Sequence, residues 1–246
     1  MNDIKKAAEI ILNSKKTMAL TGAGISTESG IPDFRSSSGY YSKMDPVKSL
    51  SKDVLLNDPK RFYSEGFLIL NDLYNKEPNK GHFALAKLEE LGKLSGIITQ
   101  NIDNLHIKAG NKKVYEVHGE SRNVHCMSCN RVYPFSVMKE KVEKKEIPPL
   151  CDACGGILRP NVVMFGDMMP NDFLKAQQQI ANTELLIVVG SSLQVSPVNY
   201  LPSYVDKLII INNDKTPFDR DAELVFHESA GEILTEIVEE VEKELK

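Results

Sequence analysis

The chain has four cysteines, all within Cys126-x2-Cys129-x21-Cys151-x2-Cys154. A C-x2-C knuckle offers two thiolates from one tight turn, and the 21-residue span lets a second knuckle face the first. The spacing therefore predicts a tetrahedral Zn2+ site ligated by Cys126, Cys129, Cys151 and Cys154. Chance pairs or two disulfides are the competing reading, but adjacent knuckles make poor disulfides and chance rarely places all of a chain's cysteines this way. A four-thiolate site is coordinatively closed, so it holds structure and carries no reaction. Any chemistry must lie elsewhere.

At 246 residues the chain has room for one large domain, or a main domain carrying an inserted module. Residues are 41% hydrophobic and 26% charged, as in an ordinary globular protein. A net charge of −4 gives no general basic surface, so nucleic acid is not an expected partner. Apolar runs such as 185–190 and 208–211 are far too short to span a bilayer, and residues 1–13 lack a signal-peptide core. No membrane role is expected. Thiols kept for metal point to a reducing, cytoplasmic setting, and nothing suggests an assembly arm, so a monomer is expected.

Short apolar runs bounded by turn residues recur at 17–21, 96–99, 114–117, 185–189, 208–211 and 224–226. They read as buried parallel strands covered on both faces. Helical patterns alternate with them. Ala84, Leu85, Leu88 and Leu91 share one face, and Ile233, Leu234, Ile237, Val238, Val241 and Leu245 share another. The alternation predicts an α/β fold, a Rossmann-like doubly wound parallel sheet. Segments 36–79 and 122–159 break the pattern. The first is helical around 62–74, and the second holds the cysteines and a lysine-rich middle at 139–145. Both read as insertions that form a smaller discontinuous zinc-binding and helical domain, leaving 1–35, 80–121 and 160–246 as the large domain. The seam between two such lobes is a common place for a ligand.

The first strand runs into Gly22-Ala23-Gly24-Ile25-Ser26-Thr27. Glycines there permit a tight turn and let backbone N–H groups approach a phosphate. Thr27 replaces the third glycine of the usual fingerprint, so a purely structural turn is an equal reading on this motif alone. Further residues collect at the same sheet edge. Phe34 and Arg35 follow the turn; Gln100, Asn101 and Asp103 end the next strand; His118 ends the one after. Gly190, Ser191 and Ser192 end the fourth strand, and Asn212 ends the fifth. A lone histidine is usually structural, but convergence with 100–103 makes His118 a candidate general base. His82, His106, His125 and His227 lack that support.

Taken in order, these motifs closely resemble the sirtuin family of NAD-dependent protein deacylases. The matching stretches are 22–26, 30–35, 99–103, His118-Gly119, the two cysteine pairs, 159–166 and 190–192. The resemblance implies a Rossmann-like large domain, a small zinc-bearing domain, NAD as co-substrate and acetylated-lysine proteins or peptides as partners. It implies that Ala23, Thr27, Phe34 and Arg35 line the NAD site, with Gln100 and Asn101 at the nicotinamide ribose. Ile102 and Asp103 would hold the nicotinamide carboxamide, and Gly190, Ser191, Ser192, Asn212 and Ala230 the remainder of the cofactor. Val162, Val163, Phe165 and Gly166 would pair with the substrate peptide as an added strand. His118, assisted by Asn101, would act as base toward the ribose hydroxyls. The acetyl group would leave on ADP-ribose, with free lysine and nicotinamide as the other products. Asp167 stands where many members carry glutamate. A tyrosine and arginine three apart accompany acidic acyl substrates in the family; here Tyr63 is followed by Gly66, which disfavours such groups.

Rival readings are a mono-ADP-ribosyltransferase, which would cleave NAD toward another nucleophile, and a non-catalytic protein-binding module built on the zinc lobe. Joint presence of Gln100, Asn101, Asp103 and His118 argues against the second. An oxidoreductase fits least, since no proton-relay set accompanies the glycine turn.

Overall fold

Most of the large-sheet strands are short aliphatic runs buried on both faces, while the edge strand Val114-Tyr115-Glu116 is half-buried. In the computed structural model, which describes residues 3–34, 36, 39–43 and 46–246, they form one all-parallel sheet. These strands are β1 (Thr17–Thr21), β2 (Ile97–Thr99), β3 (Val114–Glu116), β7 (Leu185–Val189), β8 (Lys207–Ile211) and β9 (Leu224–Phe226). Their spatial order is β3-β2-β1-β7-β8-β9, so the order reverses between β1 and β7. Those two pair residue for residue, from Thr17 against Leu185 to Thr21 against Val189.

Helices cover both faces. Helix α1 (Asp3–Asn13), α2 (Lys80–Glu90) and α5 (Ala230–Glu244) bury Ile11, Leu88 and Ile237 against Ile187 and Ile209 on one side. Helix α4 (Asn171–Ile180) and the turn Val198–Tyr204 bury Phe173, Ile180 and Leu201 against Met18 and Ile210 on the other. Each fully buried side chain of this size contributes roughly 1.5–3 kcal/mol. The doubly wound architecture expected from the sequence is the one observed.

The second sheet is antiparallel, with β4 (Gly119–Cys126) between β5 (Val132–Pro134) and β6 (Leu158–Val162). It begins one residue after His118 and so grows directly from the large sheet. The lysine-rich stretch is not a loop: Phe135–Glu143 forms helix α3, which buries Phe135 and Met138. Phe62, Tyr63 and Phe67 from the helical segment pack into the same core as Met138, Leu158 and Val162. The two inserted segments thus share one apolar interior.

At the reversal point the chain is packed backbone against backbone. Gly24 N–H donates to the Gly190 carbonyl at 2.8 Å, and Gly22 N–H donates to the Val189 carbonyl at 3.0 Å. A Cβ on Gly24 would lie 2.6 Å from Gly190 Cα, and one on Gly190 would lie 2.2 Å from Ile25 N. Gly190 also has φ of +60°, in the left-handed region. Gly190→Ala should therefore lower the melting temperature by roughly 6–12 °C, combining left-handed strain with overlap. An unchanged melting curve by circular dichroism would show that the two turns are not packed together.

Candidate active site

Four thiolates around Zn2+ at about 2.3 Å stand about 3.8 Å from one another. Here the Cys126 and Cys154 sulfurs are 3.4 Å apart, those of Cys129 and Cys151 are 3.8 Å apart, and all four lie within 4.8 Å. The two knuckles are built alike. Asn130 N–H donates to the Cys126 carbonyl and Gly155 N–H to the Cys151 carbonyl, and both Asn130 and Gly155 have left-handed φ. Ser128 N–H approaches the Cys126 sulfur at 3.4 Å, and the Tyr133 hydroxyl lies 3.1 Å from that of Cys151. The residues fit a structural Zn2+. His125 takes no part; its Nδ1–H donates to Asn161 Oδ1 at 2.6 Å.

The sheet edge carries the other predicted residues. Ala23 and Thr27 lie in the 3-10 stretch Ala23–Ser29 that follows Gly22. Asn101 Nδ2 donates to the Gly22 carbonyl at 3.0 Å and to Ser26 Oγ at 3.2 Å, while Ser26 Oγ donates to Asp103 at 2.7 Å. Asp103 also accepts from Leu105 N–H. Burial raises its pKa, against these hydrogen bonds. Gln100 Nε2 donates to Ser191 Oγ at 2.8 Å, joining the ends of β2 and β7. The Ile102 carbonyl accepts from both the amide and the hydroxyl of Ser121 on β4. Beneath the loop, Thr21 Oγ1 bridges Thr99 Oγ1 at 2.8 Å and His106 Nε2 at 2.9 Å.

His118 is half-buried, and its Nδ1 lies 3.0 Å from the Gln100 carbonyl. A carbonyl only accepts, so Nδ1 carries the proton and Nε2 keeps a lone pair. Burial lowers the His118 pKa, with the Gln100 bond pulling weakly the other way. The ring is therefore neutral at pH 7, with a basic nitrogen turned away from its anchor. Gly119, at φ +80°, starts the turn into the small lobe; its Cβ would collide with the Asn161 carbonyl.

Beside it runs the predicted peptide segment. Val162 ends β6 opposite Gly119, and Val163 N–H donates to the His118 carbonyl at 2.8 Å. Phe165 is exposed, and its carbonyl accepts from Lys52 N–H of the helical segment. Gly166 is exposed at φ +92°. Asp167 explains the stiffness of this stretch. It forms a two-pronged pair with Arg159 at 2.6 and 3.2 Å and accepts from Met164 N–H. Burial would raise its pKa, but the Arg159 and Met164 bonds outweigh that and hold it low. Phe165 pairs with Ser51 in an isolated parallel bridge, which ties this stretch to the helical segment.

Ser192 follows Ser191 at the edge. Asn212 Nδ2 donates to the Asp214 carbonyl, and the Asn212 carbonyl accepts from His227 Nδ1. Ala230 opens α5, whose first turn is tied to Glu28 through Ser229 and Gly231. Phe34 stands at the mouth, its ring 5.6 Å from that of Tyr40. Arg35 lies outside the described residues. Tyr63 does not face the site: it is buried in the small lobe and its hydroxyl donates to the Leu158 carbonyl. A side chain at Gly66 would meet the Ser49 carbonyl, so no arginine fits there. The sequence reading also missed Asp167's pairing with Arg159 and a network of Arg122, Glu116 and Glu120. The partners of both join different elements, and no local spacing signals them.

An open parallel sheet with a glycine cradle at its reversal point, and a neutral histidine on the seam with a zinc-ligand lobe, defines a two-lobed protein of the dinucleotide-binding type. Its glycines let the two turns at the reversal point pack backbone to backbone, which side chains there would prevent. The Sir2 family model matches residues 22–197, and the chain belongs to that family. The NAD-dependent protein deacetylase 2 of Caldanaerobacter subterraneus subsp. tengcongensis is 56% identical over 237 residues, covering 96% of this chain and 95% of that one. The NAD-dependent protein deacetylase of Caldivirga maquilingensis is 48% identical, covering 96% and 93%. Among solved structures, a Sir2 histidine-to-alanine variant with deacetylated p53 peptide and 3′-O-acetyl-ADP-ribose superposes with a TM-score of 0.92 at 38% identity, covering 96% and 98%. Sir2 bound to a propionylated peptide gives 0.87 at 37%, covering 98% of each chain.

Two expectations follow. Metal analysis should find one Zn2+ per chain, and stripping it with a chelator should melt the small sheet and abolish ligand binding; full retention of ellipticity without metal would contradict the structural role. The second concerns His82 and His106, which are buried with rings 4.9 Å apart. Burial lowers His82 from 6.5 to about 4 and pushes His106 well down too. Below pH 6.5 the unfolded chain binds protons that the folded one refuses, so stability falls as pH drops from 6.5 toward 4. The loss attributable to His82 is about 3 kcal/mol, readable by urea melts at stepped pH. His82→Gln should flatten that slope, and an equal slope in both proteins would remove the assignment.

Proposed function

We propose that this protein is an NAD-dependent protein lysine deacetylase, removing acetyl from lysine and releasing nicotinamide and O-acetyl-ADP-ribose. The observation that carries this reading is His118. It is neutral, anchored through Nδ1 to the Gln100 carbonyl, and hydrogen-bonded through its own carbonyl to the strand that would receive a peptide. NAD supplies the electrophilic ribose carbon and the ADP-ribose that accepts the acetyl group. The chain's own residues bind, orient and move protons. Ala23, Thr27, Phe34, Arg35, Gly190, Ser191, Ser192, Asn212 and Ala230 hold the dinucleotide. Ile102 and Asp103 take the nicotinamide carboxamide, while Gln100 and Asn101 orient the adjoining ribose. His118 Nε2 accepts a proton from a ribose hydroxyl, which makes that oxygen nucleophilic toward the acyl carbon. Phe34 covers the mouth and keeps water out. Val162, Val163, Phe165 and Gly166 pair with the peptide backbone, so little peptide sequence is read.

In this reading 1–35, 80–121 and 160–246 form the NAD-binding domain, and 36–79 with 122–159 form the small domain. The zinc-ligand thiols suit a reducing cytoplasm, and the protein acts as a monomer on acetylated proteins. No helix among the described residues is long and apolar enough to cross a membrane.

Mass spectrometry of an acetyl-lysine peptide incubated with NAD tests the reaction. Loss of acetyl should match nicotinamide and O-acetyl-ADP-ribose one for one. His118→Ala should reduce the rate at least about 100-fold, the scale of a lost general base. Nicotinamide release with the peptide still acetylated would instead identify an ADP-ribosyltransferase or glycohydrolase.

A further inference from the structure

The loop 100–104 is anchored at its first residues by neutral groups: Thr21 and Gly22 carbonyls, Ser191 and Ser26. Its last residue is held differently. Asn104 has φ of +66°, and its Oδ1 accepts from Arg122 Nη1 at 2.6 Å. The same guanidinium grips Glu116 of β3 in a fork, Nη1 to Oε1 at 2.7 Å and Nη2 to Oε2 at 2.5 Å. Its Nε lies 3.5 Å from Glu120, which also accepts from the Arg122 and Asn123 amides and from Asn161 Nδ2. Arg122 belongs to β4 at the register shift between Gly119 and Val124. It therefore links the large sheet, the small sheet and the loop at one point.

We infer that Arg122 is a positioning residue for the nicotinamide end of the site, fixing the 100–104 loop from the small lobe against Glu116 of the large sheet. The inference rests on the proposed NAD-consuming reading, which gives Ile102 and Asp103 the carboxamide. A fork of charge-assisted bonds sets direction as well as distance, which a lysine's point charge does not. Without it, Asn104 keeps its backbone but loses its tether, and Ile102 and Asp103 sample wider positions. Arg122 holds Asn104, Glu116 and Glu120, whereas the Gly190 side meets the loop at its opposite end, through Gln100 and Ser191. The effect should therefore be confined to one half of the ligand.

Binding separates the two halves. ADP-ribose lacks nicotinamide, whereas the non-hydrolysable carba analogue of NAD keeps it. Calorimetry on the zinc-loaded protein should show Arg122→Met weakening carba-NAD about three- to tenfold while ADP-ribose stays within about twofold. In steady-state assays KM for NAD should rise while KM for the acetylated peptide holds. Arg122→Met strands the Glu116 carboxylate, so two further variants guard against simple unfolding. Arg122→Met/Glu116→Gln removes the stranded charge, and Asn104→Gly keeps the left-handed backbone while deleting only the accepting amide. Both should reproduce the selective loss with near-normal melting. Equal weakening of both ligands, or no weakening in Asn104→Gly, would overturn the inference. Wild-type protein that binds neither ligand would instead remove the NAD reading on which it rests.

Discussion

The contact on which the rest depends is the one between two backbones at the sheet's reversal point. Gly24 and Gly190 meet with no side chain between them. This is where helices leave β1 and β7 toward opposite faces, so a crevice must open above the strand ends. Any larger residue would collide with the facing backbone and force the two turns apart. The glycine turns bring two backbones into direct contact, with the Gly22 and Gly24 N–H groups donating across it to the Val189 and Gly190 carbonyls. From this point the edge is laid out by strand order alone. Residues 100–103 stand on one side, Ser191 and Ser192 on the other, and His118 one strand further out.

His118 gains its role from where the chain changes direction. It is the last residue before Gly119 turns the chain into the small sheet, so its ring sits on the seam by covalent necessity. The side chain is tied back to the large domain through Gln100, and its carbonyl is tied forward to Val163. The proposed base and the proposed peptide-pairing segment are thus fixed relative to each other through one residue. That coupling makes the small lobe's rigidity matter. A lobe whose interior is drawn from two short inserted segments buries little apolar surface by itself. Four thiolates on one metal supply the missing constraint, with the Arg159–Asp167 pair as a second clamp on the stretch after β6.

The large sheet was legible because most of its strands are short aliphatic runs that need no distant partner to be recognised. Strands 17–21, 185–189 and 224–226 stand where the pattern put them. Helix α1 carries an equally clear stripe of Ile4, Ala7, Ala8 and Ile11, and α4 one of Phe173, Ala176 and Ile180. Both went unread beside the stronger stripe of α5. The small sheet was not legible at all. Its central strand, Gly-Glu-Ser-Arg-Asn-Val-His-Cys, alternates poorly because the register shifts within it, and Asn123 and Asn161 work inside a polar network there. Lysines masked α3, whose buried face needs only Phe135 and Met138. The site was readable as a set of strand ends, and the resemblance gave those ends their roles. Tyr63 shows the limit: a motif position in the sequence became a core residue once the fold turned it inward.

Charge is distributed with a consistent logic. Arg122 is committed to Glu116, and Arg159 to Asp167, each pair mostly shielded from water. The groups left facing the crevice are amides, hydroxyls and a neutral imidazole. Asp103, at the end of β2, has its pKa raised by burial and its oxygens occupied by Ser26 and Leu105. An unpaired carboxylate beside His118 would favour the imidazolium and remove the base. Pairing Arg122 and Arg159 with carboxylates keeps those charges off the strand ends around His118, which stay rich in hydrogen bonds. Such a surface orients hydroxyls and a carboxamide while leaving the His118 lone pair available. The structural ion pairs and the reactive edge are therefore two halves of one electrostatic arrangement, and disturbing the first should be felt at the second.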